Sequence, residues 1–258
     1  MSTVLFELKN NVAHLTLNRP DKFNSFNREM ALLLQKLLDD CAADNNIRAI
    51  YLTGNGKAFC AGQDLGELVG ENPPGFEVIL AEHYNPIITR IRTIEKPVVC
   101  AVNGVAAGAG ANIALACDVV VATASASFIQ AFSKIGLIPD SGGTFTLPRL
   151  IGFAKASALM MLGDKISATE AEKMGMIYKV FSDEIFAEES YKIATTLSQM
   201  PTKGLAYTKA ALNTSFNNSL EQQLQKEDEL QYKAAHTYDY NEGVNAFIEK
   251  RLPVFKGE

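Results

Sequence analysis

The 258-residue chain has only three histidines, His14, His83 and His236, too scattered to suggest a metal site. It has no HExxH or GxSxG motif, which argues against a zinc hydrolase and a serine hydrolase. Its four cysteines, Cys41, Cys60, Cys100 and Cys117, show no CxxC spacing, and three of them sit in apolar runs. They read as reduced, mostly buried thiols of a cytosolic protein. No apolar run approaches the roughly twenty residues needed to cross a membrane, and Met1–Glu7 lacks the basic stretch and apolar core of a signal peptide. A soluble, cytoplasmic location is the expectation. Basic charge is not in excess either: 24 Lys and Arg stand against 29 Asp and Glu, a net charge of −5 that gives no footprint for nucleic acid. No clear internal repeat is visible.

What is present reads as one large core, or one core with a small helical appendix. Residues 12 to 18 alternate as a strand with Ala13, Leu15 and Leu17 on one face. Met30, Leu33, Leu34, Leu37, Leu38 and Cys41 recur at helical spacing, which predicts an amphipathic helix over residues 28 to 43. Ser167 with Glu170, and Ser219 with Gln222, fit capping boxes. From residue 200 onward only helices are expected, near 203 to 214 and 219 to 236, then a tail around Pro253. The segment 70 to 76, with Pro73, Pro74 and Gly75, is the most loop-like stretch and a candidate lid.

Three segments carry chemistry. Residues 119 to 139 hold no Asp or Glu, and Asp140 then stands alone among glycine, proline and aliphatic residues in the run from Lys134 to Thr144. Desolvation raises a carboxyl pKa toward what a base for carbon-bound protons needs. Taken alone, an Asp after Pro and before Ser-Gly-Gly is more often a turn residue or helix N-cap. Upstream, Pro97 to Asp118 reads as a buried strand, a small-residue loop and an alanine-rich helix, whose N-terminal N–H groups either face a ligand or merely permit tight packing. The piece from Gly108 to Ile113 resembles an incomplete dinucleotide fingerprint, but it lacks the third glycine and the acid about twenty residues on. The third segment, Gly54 to Leu65, follows an apolar strand at Ile47 to Leu52, and Gly62 lets the chain turn so that the N–H of Gln63 points into a cleft. One acid and two donor loops point to carbonyl enolisation, which is as far as the residues alone lead.

With these segments in order, the chain resembles the crotonase superfamily of acyl-coenzyme A hydratases and isomerases from about Val4 to Lys256. The resemblance is carried by Asn18-Arg19-Pro20 with Phe23-Asn24-Ser25-Phe26-Asn27, by Phe59 to Asp64, by Asn103-Gly104, and by Ile138 to Thr144. Tyr84-Asn85-Pro86, Ala106 to Ala111 and Phe132 to Asp140 look most like the isomerase subgroup of phenylacetate breakdown, which converts ring-1,2-epoxyphenylacetyl-CoA to its oxepin isomer.

The resemblance implies an α/β fold, a crotonase-like spiral of ββα turns with a helical C-terminal part. Residues 1 to 199 would form the CoA-binding core and residues 200 to 258 a helical region that packs in a homotrimer, often a dimer of trimers. It places an oxyanion hole on the backbone N–H groups of Gln63 and Ala109, and the single base at Asp140. Where the family's hydratases carry two glutamates, this chain has Asn112 and Phe132, neither able to act as acid or base. The CoA nucleotide would meet Lys22, Phe23, Ser25, Ala61, Asp64 and Leu65, with Lys57 at a phosphate, so the site must be locally basic. Tyr84, Asn112, Phe132 and Ile135 would line the acyl pocket. No metal and no cofactor beyond the CoA of the substrate are expected, and neither are nucleic-acid or membrane partners. The rival readings are a 3,2-enoyl-CoA isomerase of fatty acid breakdown, then an enoyl-CoA hydratase, and in a different class a non-catalytic CoA or RNA binding module.

Overall fold

The computed structural model describes residues 2–69 and 73–258. Strands β1 (Val4–Lys9) and β2 (Val12–Leu17) form an antiparallel hairpin. Its turn residues Asn10 and Asn11 have φ of 52° and 58°, the left-handed conformation that a two-residue hairpin turn demands and Asn tolerates. On β2 the sheet continues in parallel through β3 (Ala49–Gly54), β5 (Val98–Val102), β7 (Val119–Thr123) and β10 (Lys179–Phe181). A second sheet holds β4 (Ala58–Cys60), β6 (Val105–Ala107) and β8 (Ser127–Ile129) in parallel, with β9 (Lys165–Ser167) antiparallel at its edge.

Three consecutive chain segments therefore give one strand to each sheet: β3 then β4, β5 then β6, β7 then β8. Helices close the turns, and this is the ββα spiral that the resemblance implied. The repeat is hidden in the sequence for two reasons. The long strands begin at Ala49, Val98 and Val119, at unequal intervals, and the strands of the second sheet have three residues each, too few to show a period.

Burial follows the pleat. Ala13, Leu15 and Leu17 of β2 enter the main core as expected, while Val12 joins Ala49, Tyr51, Val99, Ala101 and Val121 in a second cluster on the opposite face of the six-stranded sheet. Helix α1 (Arg28–Ala43) covers the first face with Met30, Leu34, Leu38 and Cys41, and the Asn27 side chain caps it by accepting the Met30 N–H at 3.0 Å. Helix α2 (Phe76–Val78) runs through a π-helical turn, Ile79–Tyr84, into α3 (Asn85–Thr93). Residues 70–72 of the candidate lid lie outside the described residues. After β6 comes α4 (Ala109–Leu115), and after β8 come α5 (Gly143–Ile151) and α6 (Phe153–Leu162). Helix α7 (Ala168–Lys173) opens with the expected Ser167–Glu170 capping box, and α8 (Phe186–Ser198) packs Phe186 and Ala194 onto the second cluster. All four cysteines are free and buried.

No strand follows β10 among the described residues. Helices α9 (Thr202–Ser215), α10 (Leu220–Ala235) and α11 (Tyr238–Glu249) follow instead, with a capping box at Ser219 and Gln222. They are tied to the α/β part by charge. Lys209 on α9 meets Asp118 at 2.8 Å, the same carboxylate accepts the Val98 N–H at 2.8 Å, and Arg48 reaches the carbonyls of Met200 and Phe255 at 2.6 and 2.7 Å. No helix is long and apolar enough to cross a membrane, among the described residues.

Candidate active site

The site is built where β4 and β6 end side by side. Past β4 the chain turns at Gly62, whose φ is 92°. Phe26 then clamps both sides of residue 63: its N–H donates to Gly62 O at 2.7 Å and its carbonyl accepts the Asp64 N–H at 2.8 Å. The N–H of Gln63 itself has no acceptor among the described residues. Past β6 the Gly108 N–H bonds Ile129 O at 2.9 Å, and Ala109 opens α4, where a first-turn N–H has no partner within the helix. The two loops touch. A Cβ built on Gly62 would lie 2.9 Å from Ala107 O and 3.5 Å from Ala109 N, so glycine is required for this contact. Two unpaired N–H groups at one junction, the second on a helix N-terminus, form an arrangement suited to an anionic oxygen.

The acid arrives on the loop after β8. Beyond Asp140, Ser141 and Gly142 both take left-handed conformations, with φ of 51° and 71°, and α5 starts at Gly143. Gly142, not Asp140, is the helix N-cap. The Asp140 carbonyl accepts the Gly143 N–H and the Asn112 Nδ2–H, each at 2.8 Å, and its Oδ1 accepts the Ser141 hydroxyl at 2.8 Å. Among the described residues its carboxylate meets no cation. Burial pushes the Asp140 carboxyl above its usual range, and the hydroxyl of Ser141 draws it only partly back.

Side chains outside the reacting groups hold the first donor loop. The Tyr84 hydroxyl donates to Gln63 Oε1 at 2.8 Å, Gln63 Nε2 donates to Glu67 at 2.8 Å, and Glu67 in turn accepts the Arg28 N–H at 2.8 Å. Burial, with Cys60, Asp140 and Glu67 nearby, raises the Tyr84 pKa well above that of a free phenol, which keeps it a donor. Arg19 meets Asp64 at 2.8 Å with both side chains 17% exposed, bridging the loop after β2 to the loop after β4. Burial alone would raise the Asp64 pKa, but the bonds from Arg19 and the Gly66 N–H lower it overall.

The residues expected at the site therefore divide. The Gln63 and Ala109 loops meet at Gly62, the Phe132 ring stands 3.8 Å from where a Cβ on Gly108 would sit, and Asp140 is tied to α4 through its carbonyl and Asn112. Tyr84 is buried behind Gln63, and Asn112 is buried behind Asp140. Of the expected nucleotide contacts, Lys22, Phe23, Lys57, Ala61 and Leu65 are exposed, as is Ile135, whereas Ser25 is buried and Asp64 is committed to Arg19. The Ala61 N–H bonds Phe23 O at 2.9 Å, so the two loops do share one surface. Sequence reasoning assigned nothing to Arg19, Glu67 or Gln130. Their partners lie 45, 4 and 18 residues away, and only the Gln63–Glu67 spacing was a legible signal.

The enoyl-CoA hydratase/isomerase family model matches residues 7–258. The 1,2-epoxyphenylacetyl-CoA isomerase of Escherichia coli (strain K12) is 46% identical over 100% of both chains. The trans-2-decenoyl-[acyl-carrier-protein] isomerase of Streptococcus mutans is 36% identical, covering 99% of this chain and 98% of that one. The crystal structure of an enoyl-CoA hydratase from Bacillus anthracis superposes with a TM-score of 0.92 at 34% identity, covering 99% of this chain and 100% of that one. The chain belongs to the enoyl-CoA hydratase/isomerase family, with the crotonase fold, and is an enzyme of acyl-CoA thioesters.

Proposed function

We propose that the chain is an acyl-CoA isomerase that converts ring-1,2-epoxyphenylacetyl-CoA to its oxepin isomer. The observation that carries this is Asp140: a single carboxylate, raised in pKa by burial and free of a cation, on a loop tied to the helix that bears one of two unpaired N–H groups. Asp140 takes the proton alpha to the thioester, and the electron pair moves onto the thioester oxygen between the N–H groups of Gln63 and Ala109. The enolate pair then forms a double bond from the alpha carbon to the ring while the ring C–C bond bridged by the oxygen breaks, which widens the ring to the oxepin, and the same carboxyl returns the proton to a ring carbon at the far end of the released electron pair. Nothing is gained or lost, so one acid suffices.

The 46% identity to a 1,2-epoxyphenylacetyl-CoA isomerase supports the substrate. A 3,2-enoyl-CoA isomerase is the second reading, favoured by the 36% identity to an isomerase of a chain double bond, and one site serves both reactions. Hydration needs a second acid or base, and Asn112 and Phe132 supply none. The reading needs no cofactor beyond the CoA of the substrate, places the nucleotide over the surface of Lys22, Phe23, Lys57, Ala61 and Leu65, and goes with a cytoplasmic location. Residues 200 to 258 are assigned to subunit packing, as a trimer or a dimer of trimers, because Leu212, Phe216, Leu220, Phe247 and Leu252 are each at least 60% exposed.

The test is Asp140→Asn, assayed with the ring epoxide, a 3-enoyl-CoA and crotonyl-CoA. The amide keeps the shape but takes no proton, so isomerisation falls by roughly 10² to 10⁴ while CoA binding persists. Wild-type protein is expected to hydrate crotonyl-CoA far more slowly than it isomerises the other two substrates. Full activity in Asp140→Asn, or equal hydration and isomerisation rates in the wild type, refutes the mechanism.

A further inference from the structure

The group behind Asp140 is a buried pair of amides that no reacting step uses. Asn112 is 1% exposed and Gln130 is 3% exposed. Gln130 Nε2 donates to Asn112 Oδ1 at 2.8 Å, and Asn112 Nδ2 donates to the Asp140 carbonyl at 2.8 Å. An amide has one donor end and one acceptor end, so the bond from Gln130 decides which end faces Asp140. If the amide turned over, Oδ1 would face the Asp140 carbonyl, acceptor against acceptor.

The amide is also confined in space. A Cβ built on Gly143 would lie 2.3 Å from Asn112 Nδ2, so the start of α5 rests directly on this side chain. Asn112 belongs to α4 and stands three residues after Ala109, one turn along the same helix. The helix whose first N–H is the proposed second oxyanion donor thus grips the main chain of the proposed base.

We infer that Asn112, oriented by Gln130, is a positioning residue that sets the separation between the base and the oxyanion hole. This rests on the isomerase reading above. The Asp140 main chain is fixed by two donors, Gly143 N–H and Asn112 Nδ2–H, and only the second connects it to the oxyanion helix. Without it the loop from Ser133 to Gly142 still closes through Gly143, but its register against Ala109 is lost. The consequence falls on the proton-transfer step and not on CoA binding, because neither amide lies on the surface proposed for the nucleotide.

The experiment compares Asn112→Leu, which has similar volume but no donor, with Gln130→Met, which frees the Asn112 amide to turn over. Rates are normalised to CoA-binding sites, with a 3-enoyl-CoA as substrate and alpha-proton exchange in D2O followed by NMR. Displacement of a reacting group by about 1 Å costs on the order of 10² in rate. Asn112→Leu is expected to lose about 10-fold to 100-fold in both kcat and exchange, with KM within about twofold. Gln130→Met is expected to lose less, in the same pattern. An Asn112→Leu kcat within twofold of wild type overturns the inference, as does a loss confined to KM. Should Asn112→Leu not fold, Gln130→Met decides alone: reduced kcat at unchanged KM supports the role and wild-type kcat overturns it. Asp140→Asn run beside them separates the two ideas, since inactivity there with wild-type rates in both amide variants sinks only the positioning role.

Discussion

Gly62→Ala probes the oxyanion junction most directly. At φ 92° an L residue is strained whatever its surroundings, at roughly 1–3 kcal/mol. The added Cβ also falls 2.9 Å from Ala107 O and 3.5 Å from Ala109 N, the first well inside ordinary contact. Relief requires the Gly62 loop to back away from the Ala107–Ala109 loop by some tenths of an ångström, or residue 62 to leave its conformation. Either movement turns the Gln63 N–H away from the point that it is proposed to share with Ala109. Loss of one oxyanion donor costs about 10² to 10³ in kcat, or about 2.7–4 kcal/mol of transition-state stabilisation.

The assay is isomerisation of a 3-enoyl-CoA, with CoA binding by calorimetry and melting temperature measured on the same preparation. The expected outcome is a kcat loss of that size with CoA affinity nearly kept. Melting should fall too, by about 2–4 °C per kcal/mol in a chain of this length. Gly152→Ala is the control for strain alone, because Gly152 has φ 79°, no atom of the described residues within 4 Å of its Cβ position, and a place between α5 and α6. It should lose stability and keep kcat. A Gly62→Ala enzyme with kcat within threefold of wild type would refute the placement of the oxyanion hole.

Two further outcomes follow. Because burial raises the Asp140 pKa above its unfolded value, the folded state binds more protons than the unfolded state between the two values, and stability falls as pH rises through that window. Asp140→Asn should therefore melt above wild type at neutral pH, with the difference vanishing below about pH 4, the ordinary range of an Asp carboxyl; a lower melting temperature at pH 7 contradicts this. Light scattering of the intact protein should give three or six times the 28.0 kDa chain mass, and deletion from Leu220 onward should leave smaller, unstable species; a clean monomer of the full chain counts against the assembly.

Helix α1 was legible to the residue because its apolar spacing is a local signal. Both capping boxes were legible for the same reason. The second sheet was not. Val105–Ala107 looked like part of a small-residue loop, since three residues show no alternation and their pairing partners, Ala58–Cys60 and Ser127–Ile129, lie more than twenty residues away on either side. The same limit applied within the site. Asp140 stood out by isolation and the donor loops by their glycines, but the Arg19–Asp64 pair and the Gln130–Asn112–Asp140 chain are contacts between segments, which no local pattern encodes. Asn112 was expected to line the acyl pocket; its side chain is buried, with Oδ1 accepting from Gln130 and Nδ2 donating to the Asp140 carbonyl.

The two proposed oxyanion donors are supported in different ways, and this bears on how the site keeps its shape. Ala109 is part of α4, and through Asn112 the same helix holds the base loop, so a small shift of α4 carries the donor and Asp140 together. Among the described residues Gln63 has no hydrogen bond to α4, and its loop meets the Ala107–Ala109 loop by packing at Gly62. Its loop is pinned to Phe26 on the chain leading into α1, and its side chain is held by Tyr84 from the π-helical turn and by Glu67. On the proposed reading, a shift of α4 within that packing therefore changes the gap between the two donors more than the distance from the base to Ala109. The proposed proton-transfer geometry is then less sensitive to such a shift, and the adjustment falls on the proposed grip of the thioester oxygen. That division suits a pocket proposed to take acyl groups as different as a ring epoxide and an aliphatic chain, because the acyl group varies while the proton must always travel between the same carboxyl and a carbon next to the same thioester.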